Sequence, residues 1–119
     1  MHAMISVPGA DRAVIEERKL TTYLLSDSHP AGRSKAAFFR YFGFEPAEWQ
    51  RLQQALLIHI RTPDVVNVDQ TKFGLKYTVV GRLKTPSGRS PLVRSVWFVA
   101  TGQDVPRLVT AYPEPGSKE

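Results

Sequence analysis

The segment His29-Pro30-Ala31-Gly32-Arg33-Ser34-Lys35 gathers an imidazole, a guanidinium, a hydroxyl and an ammonium around the expected start of a helix. Unpaired backbone N–H groups at such an end favour an anion. Lys35 would lie in the first turn, where the helix dipole disfavours a cation unless something negative is bound nearby. The chemistry these types define is a phosphate site, with His29 as general acid or base because an imidazole titrates near neutrality. Arg33 and Lys35 would meet the phosphate charge. The same residues also read as a loop histidine and a solvated lysine. Arg94-Ser95 is a second anomaly, because it interrupts the apolar run from Leu92-Val93 to Val96-Trp97-Phe98-Val99-Ala100. A buried arginine is costly without a partner, so Arg94 must face water, an acid or an anion. On an uncovered sheet face it could stabilise developing phosphorane charge. Alternatively its stem covers the sheet while its head reaches solvent.

Thr110 and Tyr112 lie two apart on an expected strand and therefore share a face. They could bind phosphate oxygens or orient a base, and they are equally ordinary strand residues. Lys76 and Tyr77 point to opposite faces of a regular strand, so at most one joins any single site; Lys76 is the phosphate-binding candidate. His59 stands three after Leu56 and one before Ile60, and reads as a packing residue at the boundary of an apolar stripe. The three histidines, His2, His29 and His59, have no ligand spacing and the chain has no cysteine, so neither a metal nor a cofactor is expected. No Gly-rich phosphate loop, GxSxG elbow or nucleotide fingerprint occurs. The aromatic residues form no strand motif of the RNP type.

The elements that must carry these side chains follow from periodicity. Leu20, Tyr23 and Leu24 fall at helical spacing within residues 17–26. Pro30 then breaks the chain by pushing His29 out of the α region. A second helix is expected over residues 33–42, with Phe38 and Phe42 on one face and Gly43 at its left-handed end. The third, residues 46–61, has Pro46 in its first turn and an apolar stripe of Trp49, Leu52, Leu56 and Ile60. Past Asp64 the period becomes strand-like: residues 76–83, 92–100 and 107–112, joined by turns at Thr85-Pro86-Ser87-Gly88 and Thr101-Gly102-Gln103-Asp104. Residues 13–15 are a candidate for one more short strand. The expected fold is α+β, about three N-terminal helices on one face of a three- to four-stranded antiparallel sheet.

A chain of 119 residues suits one domain, here residues 5–113, with 1–4 and 114–119 as flexible termini. No apolar run approaches the roughly 20 residues that span a bilayer, no signal-peptide pattern opens the chain, and a cytoplasmic location without a membrane partner is expected. The net charge is +5, distributed unevenly. Between Thr71 and Pro113 stand Lys72, Lys76, Arg82, Lys84, Arg89, Arg94 and Arg107, against Asp104 alone. A polyanion such as RNA is therefore a candidate partner, although mildly basic proteins that bind no nucleic acid are common.

The pieces Lys19-Leu20-Thr21-Thr22-Tyr23-Leu24-Leu25, His29-Pro30-Ala31-Gly32 with Lys35-Ala36 and Phe38-Phe39, Phe73-Gly74-Leu75-Lys76-Tyr77, Arg94-Ser95-Val96-Trp97 and Pro106-Arg107-Leu108-Val109-Thr110-Ala111-Tyr112 span most of the chain. In them the chain resembles an uncharacterised bacterial family, one of the domains of unknown function, similar to domains of polymorphic-toxin and toxin–antitoxin systems. A looser similarity reaches the barnase, endonuclease-U, colicin and RelE-like ribonucleases, which pack N-terminal helices on an antiparallel sheet. That resemblance implies a toxin-like, metal-independent endoribonuclease. His29 would move protons, Lys35 and Arg94 would stabilise phosphate charge, and Thr110 or Tyr112 would position the reacting groups. It also implies a small cognate antitoxin or immunity protein as partner. The competing readings are a non-catalytic immunity- or antitoxin-like binding module and a basic RNA-binding domain. The oligomeric state is open.

Overall fold

The computed structural model describes residues 6–26, 28–30, 33–62 and 64–115. A short 3-10 turn, Ala10–Arg12, precedes α1 (Glu17–Lys19), which widens directly into a π-helical turn over Leu20–Leu24. Then come α2 (Arg33–Tyr41), a 3-10 turn at Pro46–Glu48, and α3 (Trp49–His59). The strands β1 (Val65–Thr71), β2 (Gly74–Arg82), β3 (Leu92–Ala100) and β4 (Arg107–Pro113) form one four-stranded antiparallel sheet in the order β1-β2-β3-β4. The architecture is α+β with the helices N-terminal to the sheet, as the sequence predicts.

The helices bury their apolar faces against one face of the sheet. Leu20, Leu24, Phe39, Leu52, Leu56 and Ile60 meet Tyr77, Val79, Val93, Trp97, Leu108 and Ala111 in one continuous core. The stripe expected on α3 is present, with Leu52, Leu56 and Ile60 fully buried. On α2 the deepest ring is Phe39, while Phe38 packs at the margin against Phe42. Gly43 has φ 102 and ends the helix. The Phe44 N–H reaches back to the Phe39 carbonyl at 3.1 Å, a left-handed C-terminal cap that only glycine adopts without strain.

The ladder sorts the remaining side chains. Thr78 pairs with Val96 and Val80 with Arg94; Val96 pairs with Thr110 and Arg94 with Tyr112. Because strand residues alternate, Lys76, Thr78, Arg94, Val96, Thr110 and Tyr112 belong to the face opposite the helices. A bulge in β4 makes this compatible with the core. Val96 faces Thr110 but Trp97 faces Leu108, so Val109 is an extra residue. Leu108 can therefore point into the core while Thr110, two residues on, points to the second face.

Three expectations are corrected. The sequence did not predict β1, whose residues from Val66 to Thr71 are exposed, so it has no apolar face to reveal it. The extra strand proposed near residues 13–15 is a single parallel bridge, Val14 to Arg107, on the outer edge of β4. Glu114, assigned to the C-terminal tail, is tied down: its N–H donates to the Leu92 carbonyl at 3.0 Å, and its carboxylate holds Arg94. Residues 1–5 and 116–119 lie outside the described residues.

Candidate active site at the edge of the sheet

Leu20, Tyr23 and Leu24 were expected to share one apolar face. The π turn separates them. The Leu25 N–H bonds the Leu20 carbonyl at 2.7 Å, five residues back, and this wider turn keeps Leu20 and Leu24 fully buried while Tyr23 stands half-buried beside β4. Such turns recur at functional sites. The Tyr23 hydroxyl reaches across the edge strand to the Thr110 hydroxyl at 2.9 Å. Around the Tyr23 ring stand the Lys19 ammonium at 5.5 Å from its centroid, the Lys35 ammonium at 5.6 Å, and the His29 ring edge-on at 5.1 Å. Both ammoniums are within cation–π range.

The Tyr23–Thr110 pair divides a groove into two lobes. One, of about 410 Å³, is lined by Ser34, Lys35, Tyr112 and Pro113 together with the pair itself. The other, of about 490 Å³, adds Glu16, Arg18, Lys19, Thr22, His29 and Val109 to the same pair. Ser34 and Lys35 belong to the first turn of α2, so the start of that helix borders the first lobe.

Of the residues singled out by sequence, His29, Lys35, Thr110 and Tyr112 come together here, and the Ser34 hydroxyl joins them. Arg94, Arg33 and Lys76 do not line either lobe. Arg94 stands opposite Tyr112 in the ladder, and its guanidinium forks onto Glu114, with Nε donating at 2.8 Å and the second N–H at 3.2 Å. Its pKa is held above the usual arginine value first by those hydrogen bonds, against partial desolvation, with the charge of Glu114 and the Tyr112 hydroxyl adding to the effect. The acid that a mid-strand arginine demands is thus its own chain's Glu114. Arg33 is exposed at the start of α2. Lys76 lies opposite Asp69 on β2, two strands and so roughly 10 Å from β4. Ala31 and Gly32 lie outside the described residues.

Sequence reasoning missed Tyr23 and Lys19. The signal was there: a tyrosine inside an apolar stripe needs a partner for its hydroxyl, and Lys19 stands four residues before it on the same helical face. His59 is not a boundary residue but fully interior, with 1% of its surface exposed. Its Nδ1 lies 2.8 Å from the Ser95 hydroxyl, and its Nε2 lies 2.9 Å from the Val93 carbonyl and 3.1 Å from that of Gly81. Burial lowers its pKa, against the hydrogen bonds to Gly81 and Val93 that raise it. Among the described residues no three side chains of the His, Cys, Asp and Glu types cluster as metal ligands would. Among the same residues no helix is long and apolar enough to cross a membrane.

The fold and groove define a small α+β domain with a mixed basic and hydroxyl-bearing site at the edge of its sheet. The chain belongs to the family described as Domain of unknown function (DUF6883), whose model matches residues 6–115. Its fold is similar to that of a chain in the contact-dependent growth inhibition toxin–immunity protein complex from Klebsiella pneumoniae 342. The two superpose with a TM-score of 0.62 over 91% of this chain and 98% of that one, at 17% sequence identity. No curated protein matches the chain.

Proposed function

We propose that the chain is a toxin-like endoribonuclease domain that cuts RNA at the Tyr23–Thr110 groove without a metal ion. The observation that carries this reading is the gathering of His29, Lys19 and Lys35 around one hydrogen-bonded hydroxyl pair. RNA supplies its own nucleophile. The 2′-oxygen attacks the adjacent phosphorus, the bond to the 5′-oxygen breaks, and a 2′,3′-cyclic phosphate and a 5′-hydroxyl result. One proton must leave the 2′-hydroxyl and one must reach the departing oxygen. His29 carries one of these transfers and the Tyr23–Thr110 pair supplies a path for the other. Lys19 and Lys35 offset the charge that builds on the phosphorane oxygens. Arg94 acts at one remove, by holding the strand that presents Tyr112. The similar chain comes from a toxin–immunity complex, a setting in which such an activity would be restrained by a small protein partner.

The test is cleavage of total RNA in EDTA by wild type, His29→Ala, Lys35→Ala and Tyr23→Phe, with product ends assayed for cyclic phosphate. Wild type should cut, and His29→Ala should slow cleavage by about 100-fold or more. If wild-type protein free of any copurified partner leaves RNA intact, the nuclease reading is lost. The immunity-type binding module then takes its place. That second reading rests on Val66, Val68 and Phe73, large apolar side chains that stay exposed along β1 and its turn.

A further inference from the structure

The two lobes differ in chemistry, and the difference describes a ligand. The first lobe has two aromatic rings and a proline, Tyr23, Tyr112 and Pro113, with one cation, Lys35. Among the described residues the second has Arg18, Lys19 and His29 against the carboxylate of Glu16. A ligand that occupies both carries a flat apolar group on one side of the Tyr23–Thr110 bond and an anionic, hydroxyl-rich group on the other. A nucleotide unit within a chain has this composition.

Resting on the ribonuclease reading, we infer that the first lobe is a nucleobase subsite, in which a base stacks on Tyr112 beside Pro113. The phosphodiester that follows crosses the Tyr23–Thr110 pair into the basic lobe. The volume of about 410 Å³ lies within the range of small-ligand pockets, about 300–1,000 Å³. In a duplex the bases are stacked and paired and present only their edges, so a base reaches an aromatic ring at the wall of a groove only from a single strand. The substrate class is therefore single-stranded RNA. The strand that carries Tyr112 is held for this role by its ladder to Arg94, and the ion pair of Arg94 with Glu114 ties down the chain that follows.

Binding and cleavage separate cleanly with a short, fully 2′-O-methylated oligoribonucleotide, which has no free 2′-hydroxyl and cannot be cut by this chemistry. Three probes are titrated by fluorescence anisotropy: the single strand, the same strand annealed to its complement, and the single strand with abasic sites throughout. The single strand should bind the full chain about tenfold or more tightly than either of the others. Tyr112→Ala should lose about tenfold in affinity for the intact single strand, while Tyr112→Phe, which keeps the ring, should bind as wild type does. The abasic comparison uses unaltered protein, so it stands even if Tyr112→Ala folds poorly. Equal binding of the three probes overturns the base subsite, and it does so even if RNA is cleaved. Tight, ring-dependent binding of the single strand without cleavage of natural RNA upholds the subsite and removes the nuclease reading.

Discussion

His59 and His29 divide the chemistry that a histidine can have in this chain. His59 has the partners of a catalytic residue and none of the access. Two carbonyl oxygens face its Nε2 and can only accept, so the proton sits on Nε2. The Ser95 hydroxyl then donates to Nδ1 and accepts from the Trp97 indole N–H at 2.8 Å. Every polar atom of this chain of bonds is satisfied in the neutral state. A second proton on Nδ1 would oppose the Ser95 hydroxyl proton and bring a charge into the core. The lowered pKa has a definite consequence for stability. Below the unfolded value of about 6.5 the unfolded chain takes up a proton that the folded chain resists, so stability is full above that pH and falls as pH drops. Each unit below costs up to about 1.4 kcal/mol until the folded pKa is reached. Urea unfolding between pH 8 and pH 5 should therefore show a steeper loss for wild type than for His59→Gln, which cannot titrate. Parallel curves would mean that His59 is not kept neutral by the fold.

At the scale of elements, the β1–β2 hairpin makes the sharpest demand on sequence. Thr71 Oγ1 accepts from the Phe73 and Gly74 N–H groups at 3.1 and 3.2 Å and donates to the Gly74 carbonyl at 3.1 Å. Gly74 has φ 153, and a Cβ there would overlap the Val99 carbonyl oxygen on β3. Gly88 has φ 87 but open space around it. Gly88→Ala should cost about 1 kcal/mol, from backbone conformation alone. Gly74→Ala adds a backbone collision and should cost on the order of 3 kcal/mol. The two variants should differ by several degrees in thermal melts, and equal melting temperatures would mean that the hairpin gives way freely. This hairpin also explains what was legible. β2 is visible as alternation, β3 as an apolar run broken by Arg94-Ser95, and α3 as a stripe. β1 is an edge strand exposed on both faces, so no pattern marked it. The candidate site was half legible for a similar reason. His29 and Lys35 announce themselves by type and position, and Thr110 with Tyr112 by alternation. What joins them depends on two departures from regular geometry, the π turn under Tyr23 and the bulge at Val109, and neither has a residue signature.

At the scale of the whole molecule, the charge that first suggested a polyanion is not one patch. The topology sends Lys72 to the β1–β2 turn, Arg82 to the end of β2, Lys84 and Arg89 to the connection between β2 and β3, and Lys76 to the second face. Arg94 is neutralised by Glu114. The cations beside the groove, Arg18, Lys19 and Lys35, come instead from the N-terminal half of the chain. The two possibilities, a local site and a diffuse basic surface, differ in salt dependence. Single-stranded binding loses affinity with a slope of about −0.7 per phosphate neutralised in a plot of log K against log salt. Three groove cations give a slope of about −2, whereas engagement of the dispersed cations as well gives one of about −5 or steeper. With the 2′-O-methylated single strand, Lys19→Gln and Lys35→Gln should each flatten the slope by about 0.7. Lys84→Gln, in the connection between β2 and β3 and outside both lobes, should leave it unchanged. A steep slope that Lys84→Gln reduces and Lys19→Gln does not would move RNA off the groove and onto the general surface, and the catalytic assignment of His29 would fall with it.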